Sequence, residues 1–189
     1  MTMKTEIIML TDVSGSMKPL DAAMCVALNE FIADQRDTPG EARATHIRFQ
    51  SWVQKPDFEG RLLASVPRFV RLGCGGGTAL YDAIMQVSEE QLKRITRERW
   101  ADQVIFVITT DGDDRDSRRT LGTARRAIEE LQENHGWRFV FLGANINAEE
   151  YAESLNIEIS VQFEASATGV AQGVREASRS VRELRSWGL

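Results

Sequence analysis

Five oxygen-bearing side chains stand where a chain could gather donors around a cation. Asp12, Ser14 and Ser16 share one short turn, Thr78 follows a run of glycines, and Asp111 follows an apolar run. Carboxylate and hydroxyl oxygens suit a hard divalent ion, Mg²⁺ or else Mn²⁺ or Ca²⁺, and not a metal that seeks thiolate. The two carboxylates roughly neutralise one such ion, and the hydroxyls add no charge. The expected metal therefore stays electrophilic and keeps a position for water or an incoming carboxylate. Gly15 is expected to allow the sharp reversal that aims Ser14 and Ser16 at one point.

Such a set works only if the chain brings it together, and the apolar periodicity says how. Thr5 to Thr11 is a compact apolar run ended by a turn-forming Asp-x-Ser-Gly-Ser, so it reads as a buried strand. Leu20, Met24, Ala27, Leu28 and Phe31 recur at helical spacing, and Pro39-Gly40 closes that helix. Thr45 to Val53 alternates as a strand; Pro56 and Gly60 confine a third, short strand to a sheet edge. After the flexible Gly73 to Gly77 loop, Leu80, Ala83, Ile84 and Val87 open a helix whose buried side continues to Ile95. Val104 to Thr110 is an apolar, β-branched strand of the kind covered on both faces. A helix on Leu121, Ala124, Ile128 and Leu131 comes next, then a strand from Phe139 to Leu142. A short helix from Glu149 to Leu155, a strand from Ile157 to Phe163 and a last helix from Val170 to Leu184 complete the pattern.

Strands separated by helix-length segments predict βαβ units, a mostly parallel six-stranded sheet and helices on both faces: a doubly wound α/β fold. No internal repeat or long low-complexity linker interrupts residues 1–189, so one domain is expected. In doubly wound sheets ligands collect beyond the carboxyl ends of the strands, where strand order reverses. If the first strand and the Val104 to Thr110 strand are neighbours, Asp12, Ser14, Ser16, Thr78 and Asp111 meet at one crevice.

Asp12-Val13-Ser14-Gly15-Ser16, Gly76-Gly77-Thr78 and Thr110-Asp111-Gly112 together resemble the metal-ion-dependent adhesion site of von Willebrand factor A (vWA) domains. The likeness covers nearly the whole chain, because the order of elements also fits. It implies a strand order of 3-2-1-4-5-6 with the third strand antiparallel. It also implies that the serines and the threonine contact the metal through their hydroxyls, that one or both aspartates act through water, and that a partner's acidic residue completes the coordination. Gly77 to Ile84 and Phe141 to Asn145 further resemble small, freestanding bacterial or phage vWA proteins, including those associated with tellurite resistance and stress-response operons.

Plainer roles fit other features. The Gly73 to Gly77 loop lacks the Lys-Ser or Lys-Thr that a nucleotide-binding loop requires. Asp113 and Asp114, with Asp116, could support a second cation, but a solvated acidic loop beside Arg115, Arg118 and Arg119 is the simpler reading. His46 and His135 have no metal-spaced partner and are expected to be structural. The end of the last helix, with Trp187, is a further place where a partner could dock.

Composition narrows the function classes. The 189 residues carry 23 Lys and Arg against 28 Asp and Glu, a net charge of −5, which argues against a general nucleic-acid binder. No secretory signal precedes the first strand, and no apolar run approaches the roughly 20 residues that span a bilayer. Cys25 and Cys74 are expected to be free thiols, as in a reducing compartment. The expectation is a cytoplasmic, metal-dependent binding or scaffold module that captures a carboxylate of a protein partner, not an enzyme. Two alternatives share the site. A Mg²⁺-dependent phosphatase would use Asp12 as nucleophile, but Ser14 stands where its general acid belongs. A metal-dependent adaptor of an ATPase would differ only in its partner.

Overall fold

Val104 to Ile108 is buried without a break at the centre of the computed structural model, which describes residues 3–186. These residues belong to β4 (Gln103–Thr110), flanked by β1 (Lys4–Asp12) and β5 (Arg138–Ala144) in a six-stranded sheet of order β3-β2-β1-β4-β5-β6. β2 (Glu41–Phe49) and β6 (Ile159–Phe163) also run parallel to their neighbours. Only β3 (Phe58–Leu62), at the edge beside β2, is antiparallel. This is the doubly wound α/β sheet that the periodicity predicts.

The pleat of the central strands sorts their side chains between two cores. Ile7, Met9, Ile105 and Val107 face α1 (Asp21–Asp37) and α5 (Ala167–Ser186). Ile8, Leu10, Phe106 and Ile108 face α2 (Leu80–Glu98), α3 (Leu121–His135) and α4 (Ala148–Ser154). Each such side chain, removed from water, contributes about 2 kcal/mol. A period of two in the strands thus selects helices for both faces.

One strand lies elsewhere than expected. Pairing with β1 runs from Lys4 opposite Glu41 to Asp12 opposite Phe49, so β2 begins earlier and ends at Phe49, not Val53. The chain reverses at Gln50–Trp52: Gln50 N–H donates to the Trp52 carbonyl (3.0 Å) and Gln54 N–H to that of Arg48 (2.8 Å). Apolar alternation continues through this turn, which is why the pattern alone extends the strand. β6 likewise starts two residues late, with Ile157 buried ahead of it.

No helix among the described residues is long and apolar enough to cross a membrane. Both cysteines are free; burial, helped by the Asp21 charge, pushes the Cys25 thiol up to about 11. His135 is the exposed last residue of α3, followed by Gly136 at φ 64°. Trp187 lies outside the described residues.

His46 is wholly buried in β2. Its Nδ1 lies 2.7 Å from an Asp57 carboxylate oxygen, its Nε2 3.1 Å from the Thr11 hydroxyl, and Phe69 meets its ring edge-on. Burial holds its pKa below the usual histidine value, although Asp57 pulls the other way. The folded state thus prefers neutral imidazole, while the unfolded chain takes up the proton near pH 6.5. The stability from this preference is complete above that pH and is lost as pH falls toward the folded value. The urea midpoint should drop between pH 7.5 and 5.5, and drop less in His46→Gln; parallel profiles would show that the imidazole protonates in place without cost.

Candidate metal centre

Because β1 and β4 are parallel neighbours with Thr11 opposite Thr109, their carboxyl ends emerge side by side, about 4.8 Å apart. Asp12 is the last residue of β1, and Asp111 is the first beyond β4. After Asp12 the chain coils tightly, with Met17 N–H donating to Ser14 O (3.2 Å) and Lys18 N–H to Gly15 O (3.3 Å). Gly15 makes this reversal without entering the left-handed region. Its small size serves close approach instead. Its N–H donates to Gly76 O (2.9 Å), and a Cβ there would lie 3.3 Å from that same oxygen.

Gly76 has a conformational role: its φ is 80°, and a Cβ would meet the Gln50 side-chain oxygen at 2.5 Å. Gly75 N–H returns a bond to Val13 O (2.8 Å), so the glycine loop and the β1 turn are stitched in both directions. Thr78 is gripped from three sides. Its carbonyl accepts from Arg115 N–H (2.9 Å) and Asp116 N–H (3.0 Å), Ala79 N–H donates to Gln50 O (2.8 Å), and Gly77 N–H donates to the Ser51 hydroxyl (2.9 Å). The Thr78 side chain is nearly buried, and its hydroxyl has no hydrogen-bond partner among the described residues.

Hydrogen bonds join Asp12, Ser14, Ser16 and Asp111, and Thr78 follows the glycine loop that is stitched to the same turn. Asp12 accepts from Ser14 N–H (2.7 Å) through one oxygen and from the Thr110 hydroxyl (2.6 Å) through the other. The Ser14 and Ser16 hydroxyls lie 3.1 Å apart, and Ser16 donates to Asp111 (2.8 Å). Asp12 is fully buried and Asp111 is 8% exposed. Neither forms an ion pair among the described residues. Burial is the main force raising the pKa of each above the ordinary carboxylate range; for Asp12 the nearby Asp111 charge adds to it, and for both the hydrogen bonds oppose it. No three His, Cys, Asp or Glu side chains cluster as a metal cage among the described residues. The donor set is two carboxylates and three hydroxyls, and such an all-oxygen set fits a hard divalent ion.

Part of the acidic loop proves to be scaffold. Asp114 accepts from Tyr81 N–H (3.2 Å) and Ser117 from Asp82 N–H (3.0 Å), so the loop caps the first turn of α2. Asp116 accepts from the Ser51 hydroxyl (2.7 Å) and Asp82 from Arg118 and Arg119 N–H (3.0 Å each). Sequence reasoning missed these supporting roles, and those of Thr110, Gln50 and Ser51. Thr110 lies inside the Thr110-Asp111-Gly112 motif, which is the signal for its hydroxyl; for Gln50 and Ser51 the pattern holds no signal, since the apolar alternation runs a strand through them.

Sheet order, the lone antiparallel edge and a site at the β1 and β4 ends define the chain as having the fold of a vWA domain. Solved structures agree. Proximal thread matrix protein 1 of the mussel byssus, its MIDAS motif occupied by zinc, superposes with a TM-score of 0.71 at 14% identity, over 96% of this chain and 46% of that one. The vWF domain of a type V pili tip protein from Porphyromonas gingivalis gives 0.63 at 11% identity, over 96% of each chain. Manganese-loaded TRAP protein of Plasmodium vivax gives 0.61 at 17%, over 93% and 71%. The chain spans less than half the length of the mussel protein. No family model matches it, and no curated protein matches it in sequence.

The stitched glycine loop has a direct consequence. Gly76→Ala forces a Cβ into the left-handed region and against Gln50, so it should lower unfolding stability by about 1–2 kcal/mol. Chemical denaturation measures this; an unchanged midpoint would mean that the loop relaxes freely.

Proposed function

We propose that this chain is a divalent-metal-dependent protein-binding module. Asp12, Ser14, Ser16, Thr78 and Asp111 hold a Mg²⁺-type ion, and a carboxylate of a partner protein completes its coordination. The observation that carries the reading is a pair of buried carboxylates with no ion-paired cation, beside a free threonine hydroxyl. Buried charge without a counter-charge is costly, and a bound cation supplies what the protein omits. Zinc and manganese in two proteins of the same fold support a divalent ion at this position. The neutral hydroxyls favour a ligand that brings its own negative charge.

Two features support binding over hydrolysis. Both Asp12 oxygens are already hydrogen-bonded in a fully buried position, which is poor placement for a nucleophile. Ser14, two residues on, cannot serve as a carboxylic general acid. Within this reading the chain acts as one module in a cytoplasmic assembly. Its resemblance to stress-response vWA proteins favours that setting over adhesion outside the cell.

Calorimetric titration with MgCl₂ and MnCl₂ should give one ion per chain. Thr78→Ala should weaken it at least about tenfold, since losing even a hydrogen-bonding partner of a ligand commonly costs that much, while its metal-free urea midpoint stays at the wild-type value. Asp12→Asn should abolish binding. Pull-downs from the source cell should recover partners with Mg²⁺ and lose them in EDTA. Equal recovery in EDTA would remove the metal from the contact.

A further inference from the structure

Among the described residues Trp52 is the one aromatic of the large exposed apolar side chains, 62% accessible where Trp137 is 2%. It stands on the Gln50–Trp52 turn, which is anything but loose. Gln50 O holds Ala79 N–H (2.8 Å) and the Ser51 hydroxyl holds Gly77 N–H (2.9 Å), so the turn grips the residues on both sides of Thr78. Ser51 also donates to Asp116 (2.7 Å), and Gln50 N–H closes onto the Trp52 carbonyl (3.0 Å). The indole meets no aromatic ring or cation among the described residues. A large apolar ring is thus held in water by the same bonds that place a metal-site hydroxyl.

We propose that Trp52 is the second contact of the metal face, packing against an apolar or aromatic side chain next to the carboxylate that the ion takes. This rests on the metal-dependent reading above and deepens it by naming the partner's chemistry. β2 lies beside β1 in the sheet, so the turn that carries Trp52 follows the strand end adjoining Asp12. Strands lie about 4.8 Å apart and an extended chain advances about 3.3 Å per residue. A segment of about three extended residues spans neighbouring strand ends, so the partner's apolar residue is placed within about three residues of its acidic one. The partner is a protein segment that pairs Asp or Glu with a large apolar neighbour. Amphipathic rings of this kind dominate binding energy at protein interfaces.

The test uses the Mg²⁺-loaded full chain and capped Ser/Gly hexapeptides with a single Asp, compared with the same peptides carrying Phe one, two or three residues to either side. Titrations followed on the NMR indole signals suit weak affinities, and Trp52→Ala assigns the Trp52 resonance. At least one Phe spacing should bind about fivefold tighter than the Asp-only peptide. That ratio should fall to about one in Trp52→Ala and largely return in Trp52→Phe. A ratio of one in the wild type, or a gain that survives Trp52→Ala, overturns the proposal and leaves the metal reading standing. If no Asp peptide binds with Mg²⁺, or if binding persists in EDTA, the metal reading falls and the Trp52 proposal falls with it.

Discussion

The site depends on one pairing, the parallel register of β1 with β4. Adjacent parallel strands deliver their carboxyl ends to the same edge, and here those ends carry Asp12 and Asp111. From β1 the chain leaves through α1, which packs on one face of the sheet; from β4 it leaves through α3, on the other. Right-handed crossovers in opposite directions force the two exits apart. The crevice is therefore a product of topology, and the side chains only furnish it.

β1 contains its own control. Near its start Glu6 is also buried, and burial raises its pKa too, yet the protein gives it a cation: Arg94 lies 2.6 Å away and the Thr45 hydroxyl donates at 2.9 Å. Arg94 is itself tied to Gln91 and Glu98. At the far end of the same strand Asp12 receives one amide and one hydroxyl and no cation; Asp111 receives the Ser16 hydroxyl and feels the Arg115 charge without pairing with it. A chain able to build a buried guanidinium pair at one end of a strand leaves two carboxylates unpaired at the other. The cation of the proposed module accounts for that difference.

Much of this was legible beforehand because its causes are local. Apolar runs in β1, β4 and β5 reflect strands covered on both faces, and residue type alone announces an oxygen-donor set. What stayed hidden is the work of long-range contacts. Trp52 and Val53 continue an alternating pattern, so only pairing with β1 reveals that β2 has ended at Phe49. Asp114 looks like part of a solvated acidic run, yet it caps a helix that begins 34 residues earlier in the chain. Gly15 and Gly76 are the same residue type with different reasons. One permits a backbone to come close, and the other adopts φ 80°. Periodicity carries no information about either.

The hydrogen bonds now joining the donors suggest how the site is held ready. Ser16 spans from the Ser14 hydroxyl to Asp111, so these groups already face one another before any ion arrives. In the proposed module an ion exchanges those bonds for coordination, and the stitched loops require little backbone movement. Three of the five donors are neutral, so the bound ion keeps positive character for an acidic ligand. Ion and partner then stabilise each other by linkage: whatever factor the ion adds to partner affinity, the partner must add to ion affinity. A protein that supplied a third carboxylate of its own would bind the ion more tightly and lose that coupling. In the proposed module the neutral donors, which look like a weakness in a metal site, are what make it responsive to a partner.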